Sequence, residues 1–146
     1  MKKQILLLVL VGLFGTQAFA ETEFKASSPV RVFEGPEGEL VTTVEVNDSK
    51  QMLVWFRSVG GEIEGTARLY DYADNGRGNK DVTYKYKKGS KIKTKYVLVS
   101  HQGAWTFFQP GKASGKMRVR YSKEESKTVT FDQAVNAYKQ TKRVRK

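Results

Sequence analysis

Side chains that could act as an acid, a base or a nucleophile are sparse in this sequence. His101 is the only histidine and no cysteine is present, so Ser–His, Cys–His and multi-histidine metal schemes lack their usual groups. Glu62 and Glu64 would alternate onto the same side of one strand, and a carboxylate pair is what a glycoside hydrolase requires. Nothing nearby distinguishes an acid from a nucleophile. We therefore predict a non-catalytic protein without a cofactor, and a hydrolase stays as an alternative.

Oxygen ligands for calcium occur together in the segment 71–81. Asp71 and Asn75 hold the first and fifth positions of an EF-hand-like pattern, and a glycine follows at the sixth. Ala73 and Val82 stand where the third and twelfth ligands are needed, and two cations lie between them. The same composition describes a long, flexible hairpin loop, and we predict no metal site here.

Charge is distributed unevenly along the chain. From Glu21 to Asp81 there are 12 acidic and 7 basic residues, a net charge of −5, and from Val82 to Lys146 there are 3 acidic and 17 basic residues, a net charge of +14. A division of this size indicates an anionic partner, a self-complementary surface, or pairing between the two halves.

The basic residues of the second half alternate with other side chains along predicted strands. Strands 82–87 and 91–100 are joined by a turn at Gly89; if this turn has three residues, residue 85 faces residue 91 and the lysines share one face. A two-residue turn would mix lysines and tyrosines on both faces, and the hydrophobic pattern argues against it. Arginines alternate in the same way along 116–122. The predicted ligand-binding residues are Lys85, Lys91, Lys93, Lys95, Arg118 and Arg120.

Such a row of cations has three interpretations. It can bind a polyanion, dock to an acidic protein surface, or remain a solvated face, since lysine also protects exposed strands from aggregation. We expect contact with an anionic polymer or surface, and export favours a glycan or lipid headgroup over nucleic acid. The alternative is a structural or protein-interaction subunit with opposed acidic and basic poles. The oligomeric state is left open.

The elements that must position these residues are mainly strands separated by glycine-containing turns. Their composition and spacing predict an all-β fold, an antiparallel sandwich or barrel of about eight strands. Thr130 and Gln133 form a capping-box pattern ahead of an apolar stripe, which predicts one short C-terminal helix. The predicted strands are 30–34, 40–46, 51–58, 63–71, 82–87, 91–100, 104–109 and 116–122, with a possible short strand at 128–130.

The first 20 residues predict an export signal. Lys2 and Lys3 precede a short apolar stretch, and Ala18-Phe19-Ala20 matches a small-x-small cleavage pattern. We therefore expect residues 1–20 to be a signal peptide, 21–141 to be a single domain and 142–146 to be a mobile basic tail. The mature protein is expected to be periplasmic or extracellular, without a membrane span.

Overall fold

The computed structural model describes residues 23–76 and 78–145, and these form a closed antiparallel barrel. Each strand pairs with the next along the chain, and the first strand also pairs with the last. The predicted all-β fold of about eight strands with a short C-terminal helix is confirmed, and the architecture is a barrel. The strands are β1 (Arg31–Glu34), β2 (Leu40–Val46), β3 (Gln51–Arg57), β4 (Ala67–Gly76), β5 (Asn79–Lys88), β6 (Lys91–His101), β7 (Ala104–Phe108) and β8 (Lys116–Ser122).

Alternation along the strands divides the apolar residues between the barrel interior and an outer layer. In β3, Met52, Val54 and Phe56 belong to the interior cluster, whereas Leu53 belongs to a second cluster outside the barrel, with Trp55 packed against it. β3 is therefore apolar on both faces because its outer face is also covered by another element.

The cover is the C-terminal helix α2 (Phe131–Val144), which packs on β3 and β4 through Ala134 and Ala137. Its start follows from the predicted capping box, because Thr130 accepts from the Gln133 backbone N–H and the Gln133 side chain accepts from the Thr130 N–H. The helix continues to Val144, so residues 142–144 form its last turn and do not begin a separate tail.

Two segments differ from the sequence prediction. Ile63, where the fourth strand was predicted to begin, ends a 3₁₀ turn (Gly61–Ile63), and β4 begins at Ala67. β4 then runs on to Gly76, so most of the predicted loop 71–81 is paired strand. After β8, a short helix α1 (Lys123–Thr128) ends where a strand at 128–130 was predicted. Within the described residues, no helix is both long and apolar enough to span a membrane. The predicted signal peptide lies outside the described residues.

Candidate functional site: a lysine arm and the cleft at its base

The hairpin of β5 and β6 extends beyond the wall of the barrel. Pairing between β4 and β5 ends at Asp71–Thr83, and pairing between β6 and β7 ends at Leu98–Phe107. Residues 84–96 therefore pair with no strand outside this hairpin among the described residues, and we call this two-stranded ribbon the lysine arm. Residues 87–96 are all exposed, and Ile92 at its end is 67% exposed.

The register of the lysine arm corrects the predicted hairpin. Lys88 lies opposite Lys91 and Lys85 lies opposite Thr94, so the turn has two residues, Gly89 and Ser90. Gly89 has a φ of 63°, as expected for the first central position of a type II′ turn. The prediction assumed that one face of this hairpin is buried. Because the arm projects from the barrel, no buried face selects the register, and the turn determines it.

Cations consequently lie on both faces of the arm, and Lys85 does not share a face with Lys91, Lys93 and Lys95. The pairing places Tyr84 and Tyr86 on the same face as the latter three lysines. This face continues the barrel interior, because Tyr84 packs against the interior cluster and its ring lies 6.1 Å from that of Tyr70. The opposite face of the arm carries Lys85, Lys87, Ile92, Thr94 and Tyr96.

The net charge of the arm is large for its size. It contains six lysines and no carboxylate: Lys85, Lys87, Lys88, Lys91, Lys93 and Lys95. The Nζ of Lys95 lies 4.8 Å from the centre of the Tyr86 ring, a cation–π contact. None of the ion pairs within the described residues involves an arm lysine. Lys87 and Lys88 were missed in the sequence; lysine at both odd and even positions was the signal that neither face is buried.

The two predicted arginines lie on a different part of the barrel. They belong to β8, which is separated from β6 by β7. Arg118 faces Thr106 of β7, and Arg120 faces Glu34 of β1 on the other side of β8. Both arginines are exposed on the outer wall, because their neighbour Val119 is buried in the interior cluster. They are not brought together with Lys91, Lys93 and Lys95.

We define the barrel mouth as the end of the barrel from which the arm projects. Two other loops at this mouth carry negatively charged side chains. In cyclic strand order, the β1–β2 loop lies across the mouth from the arm, and the β3–β4 and β7–β8 loops flank it. The acidic residues of the first two loops are Glu37, Glu39, Glu62 and Glu64. Four acidic residues of the first half and the six arm lysines of the second half thus lie at one end of the barrel, without an ion pair between the arm and these loops among the described residues.

The carboxylates considered for catalysis and calcium have local roles in the fold. Glu64 accepts hydrogen bonds from the backbone N–H groups of Ser58, Val59 and Gly60 at 2.7–2.8 Å. Although partial burial opposes its ionisation, these three donors lower the pKa of Glu64. Asp74 pairs with Lys50 at 2.5 Å. Among the described residues there is no group of three or more metal-ligating side chains.

A cleft opens at the base of the arm where two neighbouring strands separate. Residues 67–70 of β4 have no partner on β5, and residues 84–88 of β5 have none on β4, so the wall is split beyond Asp71 and Thr83. The cleft has a volume of about 410 Å³, and the last turns of α2 and the Pro110-Gly111 turn close its sides. It is lined by Ala67, Arg68, Leu69, Tyr70, Tyr84, Pro110, Gly111, Tyr138, Thr141, Lys142 and Arg145.

Two polar groups lining this cleft are buried without hydrogen-bond partners among the described residues. They are the hydroxyl of Tyr70, a residue only 7% exposed, and the Nε of Arg68. Burial raises the pKa of Tyr70 to about 12, while the positive charge of Arg68 and a hydrogen-bonding interaction with its side chain act in the opposite direction. Arg68 can only donate in that interaction, so the O–H of Tyr70 stays free to donate to another group. At neutral pH the phenol therefore keeps its proton and can donate a hydrogen bond.

Fold and site together define a class: a small antiparallel barrel with a projecting cationic ribbon and an aromatic, cationic cleft at its base. Comparison with protein-family models, with characterised proteins and with solved structures gives no match.

Proposed function

We propose that this protein is an exported, non-catalytic binding protein whose lysine arm attaches to an anionic polymer or surface of the bacterial envelope. The observation that carries the proposal is the arm itself, with six lysines, no carboxylate and no strand neighbours among the described residues. A ribbon exposed on both faces can lie along a polymer and present cations to successive anionic groups. Each such contact releases counterions, which favours binding.

The pairing within the arm supports this interpretation. Lys88 lies directly opposite Lys91, and like charges in that position destabilise a ribbon. A bound anion between the two strands would relieve this repulsion. The solvated-face interpretation explains single lysines on an edge strand, but it gives no reason for placing two of them opposite each other.

The test is retention of the mature protein on immobilised polygalacturonate across a salt series. Replacing Lys88, Lys91 and Lys93 with glutamine removes three cations from one face and leaves the Lys95–Tyr86 contact in place. If all three contact the polymer, the slope of log K against log salt should fall by roughly 2, since each neutralised polymer charge contributes about 0.7 for a single strand.

A matched control removes the same charge elsewhere. The Arg118→Gln/Arg120→Gln/Lys123→Gln variant takes three exposed cations from β8 and the start of α1. We expect this control to keep most of the wild-type slope. Equal losses in both variants would mean that net charge alone governs retention, and the proposal for the arm would then be wrong.

A protein-interaction subunit is the second candidate, because acidic loops and the basic arm occupy the same end of the barrel. In that case the arm would bind carboxylates of a second protein or of another copy. Its distinguishing result is a mass that rises with protein concentration at low salt, in the absence of any polymer.

A further inference from the structure

The cleft at the base of the arm has properties that electrostatic attachment by the arm does not require. Its lining combines three tyrosines with three cations and contains no acidic side chain; these residues are Tyr70, Tyr84, Tyr138, Arg68, Lys142 and Arg145. Ligand sites typically have this composition, mostly apolar walls with a few convergent polar groups. The neighbouring depression beyond Arg68 and Arg145 does contain Glu62 and Glu64, but no ion pair joins these residues within the described part of the chain.

The two unpartnered donors in the cleft call for an explanation. Leaving a buried donor unsatisfied destabilises the folded state, so such groups are rare in folded proteins. Arg68 faces Val54 and Tyr70 faces Met52 across the β3–β4 pairing, so both side chains point to the interior side of the barrel mouth. Both groups donate hydrogen bonds, and one oxyanion could accept from both.

We propose that this cleft binds an acidic monosaccharide unit, with its carboxylate or phosphate accepting hydrogen bonds from Tyr70 and Arg68. The volume of about 410 Å³ accommodates a group of this size, and the ring of Tyr84 supplies an apolar wall. Lys142 lies 4.9 Å from the centre of the Tyr138 ring and is thereby held at the edge of the cleft. The inference rests on the proposed function, because the unit would belong to the polymer that the arm contacts.

The cleft continues toward the arm, which gives the polymer a path. An adjoining depression shares Tyr84, Pro110 and Gly111 with the cleft and adds Lys95, Tyr96 and Lys112 without any carboxylate. A chain whose terminal or repeating unit occupies the cleft would therefore leave it along Lys95 and the inner face of the arm. The cleft would select the unit, and the arm would hold the chain that follows.

The experiment uses small probes that cannot span the arm. Glucuronate, glucose 6-phosphate and glucose are titrated separately into the whole mature protein while its backbone amide resonances are recorded. We expect one or both of the acidic sugars to shift resonances around Tyr70 and Tyr84, and glucose to leave them unchanged. Binding by glucuronate alone identifies a uronate unit, and binding by glucose 6-phosphate alone identifies a sugar phosphate.

Variants connect the shifts to the two donors. Tyr70→Phe removes only the hydroxyl and should weaken binding about tenfold, as expected for a hydrogen bond to a charged group. It should change the thermal stability of the free protein little, because the hydroxyl makes no hydrogen bond of normal distance and angle among the described residues and only its interaction with Arg68 is lost. Arg68→Gln should weaken binding further. The control Arg118→Gln lies on the outer wall and should leave binding unchanged.

Failure of the cleft inference and failure of the arm proposal give different results. If neither acidic sugar binds, if glucose binds equally well, or if Tyr70→Phe and Arg68→Gln bind as the wild type does, the cleft inference is overturned. The Lys88/Lys91/Lys93→Gln variant should bind the small probes normally while losing polymer retention. Normal polymer retention by that variant would overturn the arm proposal instead.

Discussion

At the scale of single residues, Glu64 shows how a carboxylate that suggested catalysis is used by the fold. Its two oxygens accept three backbone N–H groups from the segment 58–60, where Ser58 and Gly60 have positive φ. In this conformation the three N–H groups do not bond to a neighbouring strand among the described residues, and the Glu64 carboxylate serves as their acceptor instead. Glu62, two residues earlier, is exposed and accepts no such bonds among the described residues.

We predict that Glu64→Gln destabilises the protein by about 1 kcal/mol at neutral pH, a value discounted for its solvent exposure. The pKa of Glu64 is lowered in the folded state, so its contribution is fully present above the unfolded pKa, near 4.3, and is lost as the pH falls through the lower folded value. Chemical unfolding of both proteins between neutral and acidic pH measures this.

The matched control is Glu62→Gln, which should change stability little at any pH. A difference between wild type and Glu64→Gln that persists unchanged well below pH 4, or an equal loss in the control, would contradict the role given to Glu64. If both variants also lost a hydrolytic activity on envelope polymers, the catalytic alternative would return.

At the scale of elements, β5 and β6 contribute to both the barrel wall and the arm, but the strand register has a different cause in each. Within the wall, Val82 faces Leu98 and both are fully buried. The register then shifts by one residue, so that Thr83 faces Tyr96 and the intervening Val97 is also buried. This β-bulge marks the boundary between the part of the hairpin that burial organises and the part that the turn organises.

We predict that Lys91→Glu stabilises the arm while weakening its attachment to polyanions. The substitution converts the Lys88–Lys91 repulsion into an attractive cross-strand pair, worth roughly 0.2–1 kcal/mol. Because the arm can open without unfolding the barrel, the readout is amide hydrogen exchange, with protection of arm amides rising by a factor of about 2 to 5.

The control for this prediction is Lys85→Glu, which faces Thr94 and relieves no directly opposed charge. It should give little or no added protection. If Lys91→Glu protected the arm and left polygalacturonate retention intact, the lysines would be a solvated face and not a binding surface.

At the scale of the whole molecule, part of the charge difference between the two halves of the sequence appears as an acidic and a basic sector around one barrel mouth. The acidic sector should attract cations less strongly than its number of carboxylates suggests, because two of them already accept hydrogen bonds within the fold. Glu39 accepts from the Glu37 N–H, and Glu64 accepts from three further N–H groups. The arm has no comparable internal partners among the described residues, and the chain as a whole carries a formal charge of +11.

We therefore expect the purified protein to keep a constant mass as its concentration rises at low ionic strength. Repulsion between strongly cationic copies should outweigh attraction between the arm and a partly satisfied acidic sector. Sedimentation over a range of concentrations at low and moderate salt measures this. A mass that increases at low salt and falls back as salt is added would favour the protein-interaction subunit over the polymer-binding protein.

The sequence alone determined the features that depend on neighbouring residues. Alternation and glycine spacing predicted most of the eight strands, and the Thr130–Gln133 capping box predicted where α2 begins. The excess of positive charge in residues 82–96 was likewise evident from composition. These are local properties, because backbone geometry and side-chain type decide them within a few residues.

Tertiary structure decided what those residues do together. The register of the arm was predicted wrongly because a hairpin in isolation does not show whether either of its faces will be buried. Whether Arg118 joins the lysines depended on the strand order around the closed barrel, and the cleft depended on where β4 and β5 separate. Tyr70 and Arg68 had no sequence pattern to mark them as binding residues; only the closed barrel buries their donors beside a cleft and leaves them without a partner among the described residues.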